Sequence, residues 1–145
     1  MDLISRWLAV SQFEATDCRR AFPSWDEPSL KATFDVTLNV LPEQTALSNM
    51  NQIEETPVEI NGMTLKACKF ARSPIMSTYL LAFAVGDFEY IETTARPSEP
   101  ENAQPITVRV YTIKGDSEQG RFALEVGAKT LEYFSEYFGL LLFPI

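Results

Sequence analysis

Residues 31–40 alternate without a break: Ala32, Phe34, Val36, Leu38 and Val40 fall on one side, Lys31, Thr33, Asp35, Thr37 and Asn39 on the other. A period of two sends these sets to opposite faces of a strand, so the stretch predicts a half-buried β-strand. Asn61-Gly62 stands between the runs 57–60 and 63–65. Both residues tolerate the positive φ of a two-residue type I′ turn, which predicts a hairpin. Residues 79–85 (YLLAFAV) are continuously apolar and stopped by Gly86-Asp87. That is the pattern of a strand covered on both faces, and residues 88–92 are predicted to pair beside it. Residues 95–105 hold three prolines, two glutamates and two amides, the composition of a loop. Ile106, Val108 and Val110 then alternate with Thr107, Arg109 and Tyr111 as a further strand.

After Thr112 the period lengthens. Asp116, with Gln119 three residues on, has the form of a capping box, and Leu124, Gly127, Leu131, Phe134 and Phe138 recur at helical spacing until Gly139. The span predicts a helix of about six turns, with Glu125 and Lys129 as a favourable i,i+4 pair on its outer side. Strands come first and one long helix last, with no internal repeat, the order of a β domain joined to the opening of something else. The final residues, 140–145 (LLLFPI), are strongly apolar and read as the end of a cut chain.

Composition narrows the function classes. The 145 residues are 46% hydrophobic and 22% charged, the profile of a soluble globular domain. With 12 Lys and Arg against 20 Asp and Glu the net charge is −8, which argues against nucleic acid and anionic membranes as partners, since phosphate contacts need clustered cations. The chain contains no histidine. That removes Ser-His and Cys-His catalysis, His general acid/base work and every His-containing zinc site. Cys18 and Cys68 fit neither a disulfide framework nor a CxxC motif and read as free, buried thiols. The longest apolar run is seven residues, too short for a membrane helix, and the first ten residues form no signal-peptide core. No Asn-x-Ser/Thr sequon occurs, in keeping with a cytoplasmic location.

Four constellations could carry chemistry. Residues 115–120 (GDSEQG) have the glycine spacing of a phosphate loop, but Arg121-Phe122 follows where Lys-Ser/Thr is required; the residues read as a helix start. Glu132 and Glu136 lie one helical turn apart. Without histidine or a third ligand nearby they read as a solvated helix face rather than a metal site. Asp26-Glu27, between Pro23 and Pro28 and after Arg19-Arg20, reads as a rigid, salt-bridged turn, because nothing in the sequence suggests the burial that would raise a carboxyl pKa. Gln12-Phe13-Glu14 is subtler. In a strand, Gln12 and Glu14 would share one face while Phe13 anchors the other, and such an amide–carboxylate pair can hold an ammonium group. On spacing alone, a solvated strand face is the favoured reading.

Three blocks bear on that choice. SQFEATDCRRAFPSWDEP (residues 11–28), SPIMSTYLLAFAVGDFE (73–89) and VRVYT (108–112) followed by GRFALEVGAKTLEYFSEYFG (120–139) closely resemble the zinc aminopeptidases of the aminopeptidase N type, a gluzincin family. Their nearest subgroup is the cytosolic puromycin-sensitive one. The resemblance implies a mainly β fold: a truncated, saddle-like antiparallel or mixed β domain, followed by one long α-helix that opens a thermolysin-like catalytic domain. It assigns residues 1–112 to the N-terminal β domain and 113–145 to the first catalytic-domain helix. The family's Gly-Ala-Met-Glu-Asn motif, its His-Glu-x-x-His helix and its distal zinc-binding Glu are absent from this sequence. The resemblance therefore implies zinc for the complete enzyme, no metal and no catalytic residue in this chain, and no activity for the chain alone. It also implies that the missing catalytic domain would cover the C-terminal helix. Gln12 and Glu14 match the family's Gln-x-Glu element: the Gln lines the pocket for the first substrate side chain and the Glu holds the free α-amino group of a peptide N-terminus. The departures are small, Ser24 where Cys is frequent and Ser73 where Thr is frequent. Two further readings stay open at this point, a non-catalytic β module that binds peptides or proteins, and an inactive truncation.

Overall fold

The computed structural model describes residues 7–97 and 104–139. The chain divides into two compact units, Met1–Asp87 and Phe88–Ile145. The architecture is mainly β, every strand pair is antiparallel, and the principal helix lies toward the C-terminal end.

The first unit contains β1 (Ala9–Val10), α1 (Cys18–Ala21), β2 (Thr37–Val40), β3 (Thr45–Ser48), β4 (Gln52–Ile60), β5 (Met63–Phe70) and β6 (Phe83–Gly86). They form two three-stranded sheets, ordered β1-β6-β3 and β2-β5-β4. The Asn61-Gly62 turn is as expected: φ is 52° and 76°, and β4 and β5 close on Ile60 opposite Met63. The alternation predicted for residues 31–40 holds from Phe34 onward, with Val40 buried, but only Thr37–Val40 is ladder strand. The reason is opposite it. Phe70 donates to Val36 O, Ser73 to Phe34 O and Met76 to Ala32 O, so the facing chain gains one residue at each step. At Phe34 the backbone N–H is taken by the Ser73 hydroxyl at 2.9 Å, and the following Pro74 has no N–H to give a ladder.

Residues 79–85 differ from expectation as well. Thr78–Leu80 is a 3₁₀ turn and only Phe83–Gly86 is strand. Asn49 holds the intervening backbone, donating to Leu80 O at 2.8 Å and accepting from Ala82 N at 2.9 Å. A side-chain amide thus takes the place of a neighbouring strand. Two apolar clusters fill this unit: Val40, Ala46, Cys68 and Phe70, and Phe13, Cys18 and Leu81 with partly buried Phe22, Phe34, Met76 and Phe83 against them.

The second unit contains β7 (Phe88–Ala95), β8 (Ile106–Ile113), a 3₁₀ turn at Ser117–Gly120 and α2 (Arg121–Phe138). The predicted pairing of residues 88–92 with the preceding apolar run does not occur: β7 pairs with β8 along its whole length. Only Asp87 separates β6 from β7, one residue fewer than the tightest common hairpin loop needs. The loop predicted for residues 95–105 keeps Ala95 in β7, and residues 98–103 lie outside the described part.

α2 has 18 residues, about five turns, and starts later than predicted because residues 117–120 form the 3₁₀ turn. Asp116 makes no capping bond to the backbone. Glu89 of β7 does that work, its Oε1 accepting from Gly115 N at 2.8 Å and Ser117 N at 2.9 Å. Those two N–H groups hold the Glu89 carboxyl below its usual range. The helix ends as expected at Gly139, φ 63°, whose N–H reaches back to Glu136 O. Leu124, Ala128 and Ser135 form its buried stripe, while Phe134 and Phe138, predicted to share it, are exposed.

Gly120 is fixed by close approach. A Cβ there would lie 2.9 Å from Val110 Cγ1 and 3.4 Å from Ile91 Cδ1. Gly120→Ala is therefore expected to cost about 1–3 kcal/mol through overpacking. Urea unfolding followed by far-UV circular dichroism measures it, and a neutral variant would show that the 3₁₀ turn leading into α2 does not rest on β7 and β8 at this point.

Candidate functional site

The Gln12-Phe13-Glu14 segment follows β1, which pairs with β6 through Ala9–Val85 and Val10–Ala84. Ser11 extends this pairing. Its backbone N–H donates to Phe83 O at 3.0 Å, and its Oγ accepts from Phe83 N at 2.8 Å. Pairing then stops, and residues 11–13 are not strand. The in–out order survives without a ladder because Phe13 is buried while Gln12 and Glu14 are exposed. The Phe13 ring meets Phe83 edge-on, centroids 5.8 Å apart at 84°, a favoured aromatic geometry. Glu14 opens a turn that Asp17 N closes on Phe13 O at 2.9 Å, and the Glu14–Ala15 peptide is cis. Gln12 and Phe13 line a shallow cavity of about 360 Å³ with Asp17, Arg20 and Ala21. Arg20 Nη1 and Asp17 Oδ1 are paired at 3.3 Å on its wall. Chemically, the segment offers an exposed carboxylate and an exposed amide on either side of one rigid anchor.

Asp26 departs from expectation. It is 3% exposed, so the turn that holds it buries a carboxylate. Even so, its pKa goes down rather than up. The Thr78 hydroxyl is the main cause, and the backbone N–H and guanidinium of Arg19 add to it, together outweighing desolvation. Glu27, by contrast, is exposed and reaches Arg19 Nη2 at 3.6 Å. Neither Asp26's burial nor its distant partner Thr78 has a local signal in the sequence.

The remaining candidates behave as structural groups. Glu132 Oε1 accepts from Arg96 N at 2.7 Å. At the glycine-spaced turn, Glu89 occupies the N–H groups of Gly115 and Ser117 that a phosphate would need. Cys18 and Cys68 are free and buried, and burial pushes both thiols up, away from nucleophile chemistry. Among the described residues no group of three His, Cys, Asp or Glu side chains could hold a metal ion. No helix among them is long and apolar enough to cross a membrane.

The sequence profile of the Peptidase M1 N-terminal domain matches residues 4–80, a span that includes Gln12, Glu14, Asp26 and Thr78. The chain belongs to the peptidase M1 N-terminal domain family. It is 50% identical over 133 residues to "Aminopeptidase M1" of Arabidopsis thaliana, covering 92% of this chain and 14% of that protein. To the "Puromycin-sensitive aminopeptidase" of Caenorhabditis elegans it is 47% identical over 135 residues, 93% of this chain and 13% of that protein. "Aminopeptidase N" of Acetobacter pasteurianus is 41% identical over 133 residues, 92% of this chain and 34% of that protein. The chain thus spans about one seventh of the first two relatives and a third of the last. The M1 N-terminal match lies within the first compact unit, the unit that buries Phe13 and exposes Gln12 and Glu14.

Proposed function

We propose that this chain supplies substrate recognition to a zinc aminopeptidase that removes N-terminal residues from peptides. In this reading Glu14 binds the α-ammonium group of the peptide N-terminus and Gln12 lines the pocket for the first side chain. The observation that carries it is the anchored segment: Phe13 is buried against Phe83, and its two neighbours are exposed polar groups. An aminopeptidase must distinguish a chain end from a chain interior, and the difference is a cation. A fixed carboxylate reads that cation directly and sets the register of the first peptide bond.

Zinc does not fit this chain's own residues, which include no histidine and no candidate metal cluster among those described. The metal and the hydrolytic groups belong, in this reading, to a catalytic domain opened by residues 113–145, with residues 1–112 in the N-terminal β domain. The chain alone is then inactive. The aromatic ridge on α2 supports a covering domain: Tyr133, Phe134, Tyr137 and Phe138 are exposed and in ring contact with one another, the closest pair 4.9 Å apart. Exposed apolar surface of this kind marks an interface. A cytoplasmic location and the exclusion of nucleic acid and membranes as partners belong to the same proposal.

The test is a full-length aminopeptidase carrying this segment. Gln12→Ala is expected to change the relative kcat/KM among substrates differing only in the first side chain by roughly threefold or more, with zinc content unchanged. An unaltered preference order, with unaltered ratios, would remove Gln12 from the pocket.

A further inference from the structure

We propose that Asp26 is a positioning residue for the Gln12–Glu14 segment, because its buried carboxylate ties together the two walls of the socket that holds Phe13. The proposal rests on the substrate-binding reading above for its kinetic consequence, though not for its geometry.

The socket has two sides. One is α1, which contributes Cys18, fully buried. The other is the run through Leu81 to Phe83, which contributes a buried side chain and the ring edge against Phe13. These sides are more than 60 residues apart in sequence, and Asp26 touches the chain at both. Its Oδ2 accepts from Arg19 N at 3.1 Å and Arg19 Nε at 3.4 Å, both on α1. Its Oδ1 accepts from Thr78 Oγ1 in the 3₁₀ turn that leads directly to Leu81. Arg19 Nη2 also donates to the Asp26 carbonyl. Ser77 adds a second tie, its Oγ donating to Pro28 O at 2.7 Å.

A carboxylate suits this position for a physical reason. The donors converge from two elements, and an acceptor-only group with two oxygens satisfies both sides without offering a competing donor. The charged groups around it are Arg19 and, through Arg19, the exposed Glu27; the Cys18 thiol faces it from α1. Among the described residues, no hydrogen bond or ion pair joins any of these groups to Gln12 or Glu14. Asp26 therefore acts on them through the seating of Phe13, and a small shift there is enough to misplace a ligand-binding carboxylate.

Two measurements test this. Asp26→Ala removes both acceptors; Thr78→Val keeps the side-chain shape and removes one donor, and Thr78→Ser restores it. In ¹⁵N–¹H spectra of the 145-residue chain, the first two variants are expected to shift and broaden the amide signals of residues 12–17. Signals from the β4–β5 hairpin stay in place, and Thr78→Ser returns the others. Unmoved signals for residues 12–17 in a folded Thr78→Val variant would overturn the positioning role. In a full-length aminopeptidase carrying the segment, Thr78→Val is expected to raise KM for free-amine peptides roughly three- to tenfold with kcat within about twofold. That effect should vanish in a Glu14→Gln background, since the two act through one contact. A KM effect undiminished in that background would overturn the route through Glu14. Moved amide signals with no kinetic effect of Glu14→Gln would instead sink the substrate-binding reading and leave the positioning geometry standing.

Discussion

Glu14→Gln, in a full-length aminopeptidase carrying this segment, is expected to lower kcat/KM for peptides with a free N-terminus by roughly ten- to a hundredfold. The substitution keeps the side chain's size and its acceptor oxygen and removes only the charge. In a partly dehydrated cleft, a hydrogen bond between carboxylate and ammonium is worth considerably more than one between amide and ammonium. Zinc content and thermal stability should not change, because Glu14 is exposed and opens a turn whose closing bond is made by backbone atoms of Phe13 and Asp17. N-acetylated substrates should lose little, since they present no ammonium. Glu27→Gln gives the comparison: an exposed carboxylate 3.6 Å from Arg19, whose loss is expected to change the rate less than about twofold. Near-native kinetics for Glu14→Gln on free-amine peptides would return Glu14 to an ordinary solvated position.

Phe13→Ala is expected to be strongly destabilising to the first unit, costing about 3–5 kcal/mol. Phe13 is 8% exposed, packs in one cluster with Cys18 and Leu81, and meets Phe83 edge-on. Truncation leaves a cavity between α1 and the run before β6 that the Asp26 and Ser77 ties keep from collapsing. Phe13→Leu refills much of the volume and should cost less than about 2 kcal/mol, the residual loss being the ring contact. Denaturant unfolding of the 145-residue chain, with fluorescence and circular dichroism read together, measures both. A cost below about 1 kcal/mol for the alanine variant would mean that Phe13 does not anchor the segment, and the geometric basis for presenting Gln12 and Glu14 would fail with it.

How much of this was legible beforehand varies by residue. Asn61-Gly62 and Gly139 were readable because the signal is local: each requires a positive φ that few residues adopt, and each has it, at 52°, 76° and 63°. The alternation of residues 106–110 was readable for the same reason, a period matching the geometry of a strand. The substrate-binding roles proposed for Gln12 and Glu14 are a different matter. Their spacing favoured a solvated face and the family resemblance alone suggested a role, whereas the anchoring of Phe13, expected from the in–out order, is met by its burial.

Tertiary structure decided the rest. The strand β7 was identifiable, but its partner was not, because periodicity says which face of a strand is apolar and nothing about which strand lies beside it. Phe134 and Phe138 shared a helical period with Leu124 and Leu131, yet the stripe that α2 buries runs through Ala128 and Ser135, since the neighbouring sheet selects the face. Asp26 is the clearest case. Its sequence neighbours suggested a rigid, salt-bridged turn, and the ion pair with Arg19 is there, but the fold also buries the carboxylate and supplies a hydroxyl from Thr78, 52 residues away. A sequence specifies local torsions and faces directly. Which distant donors meet a buried charge depends on the whole chain closing on itself, and only the folded contact decides it.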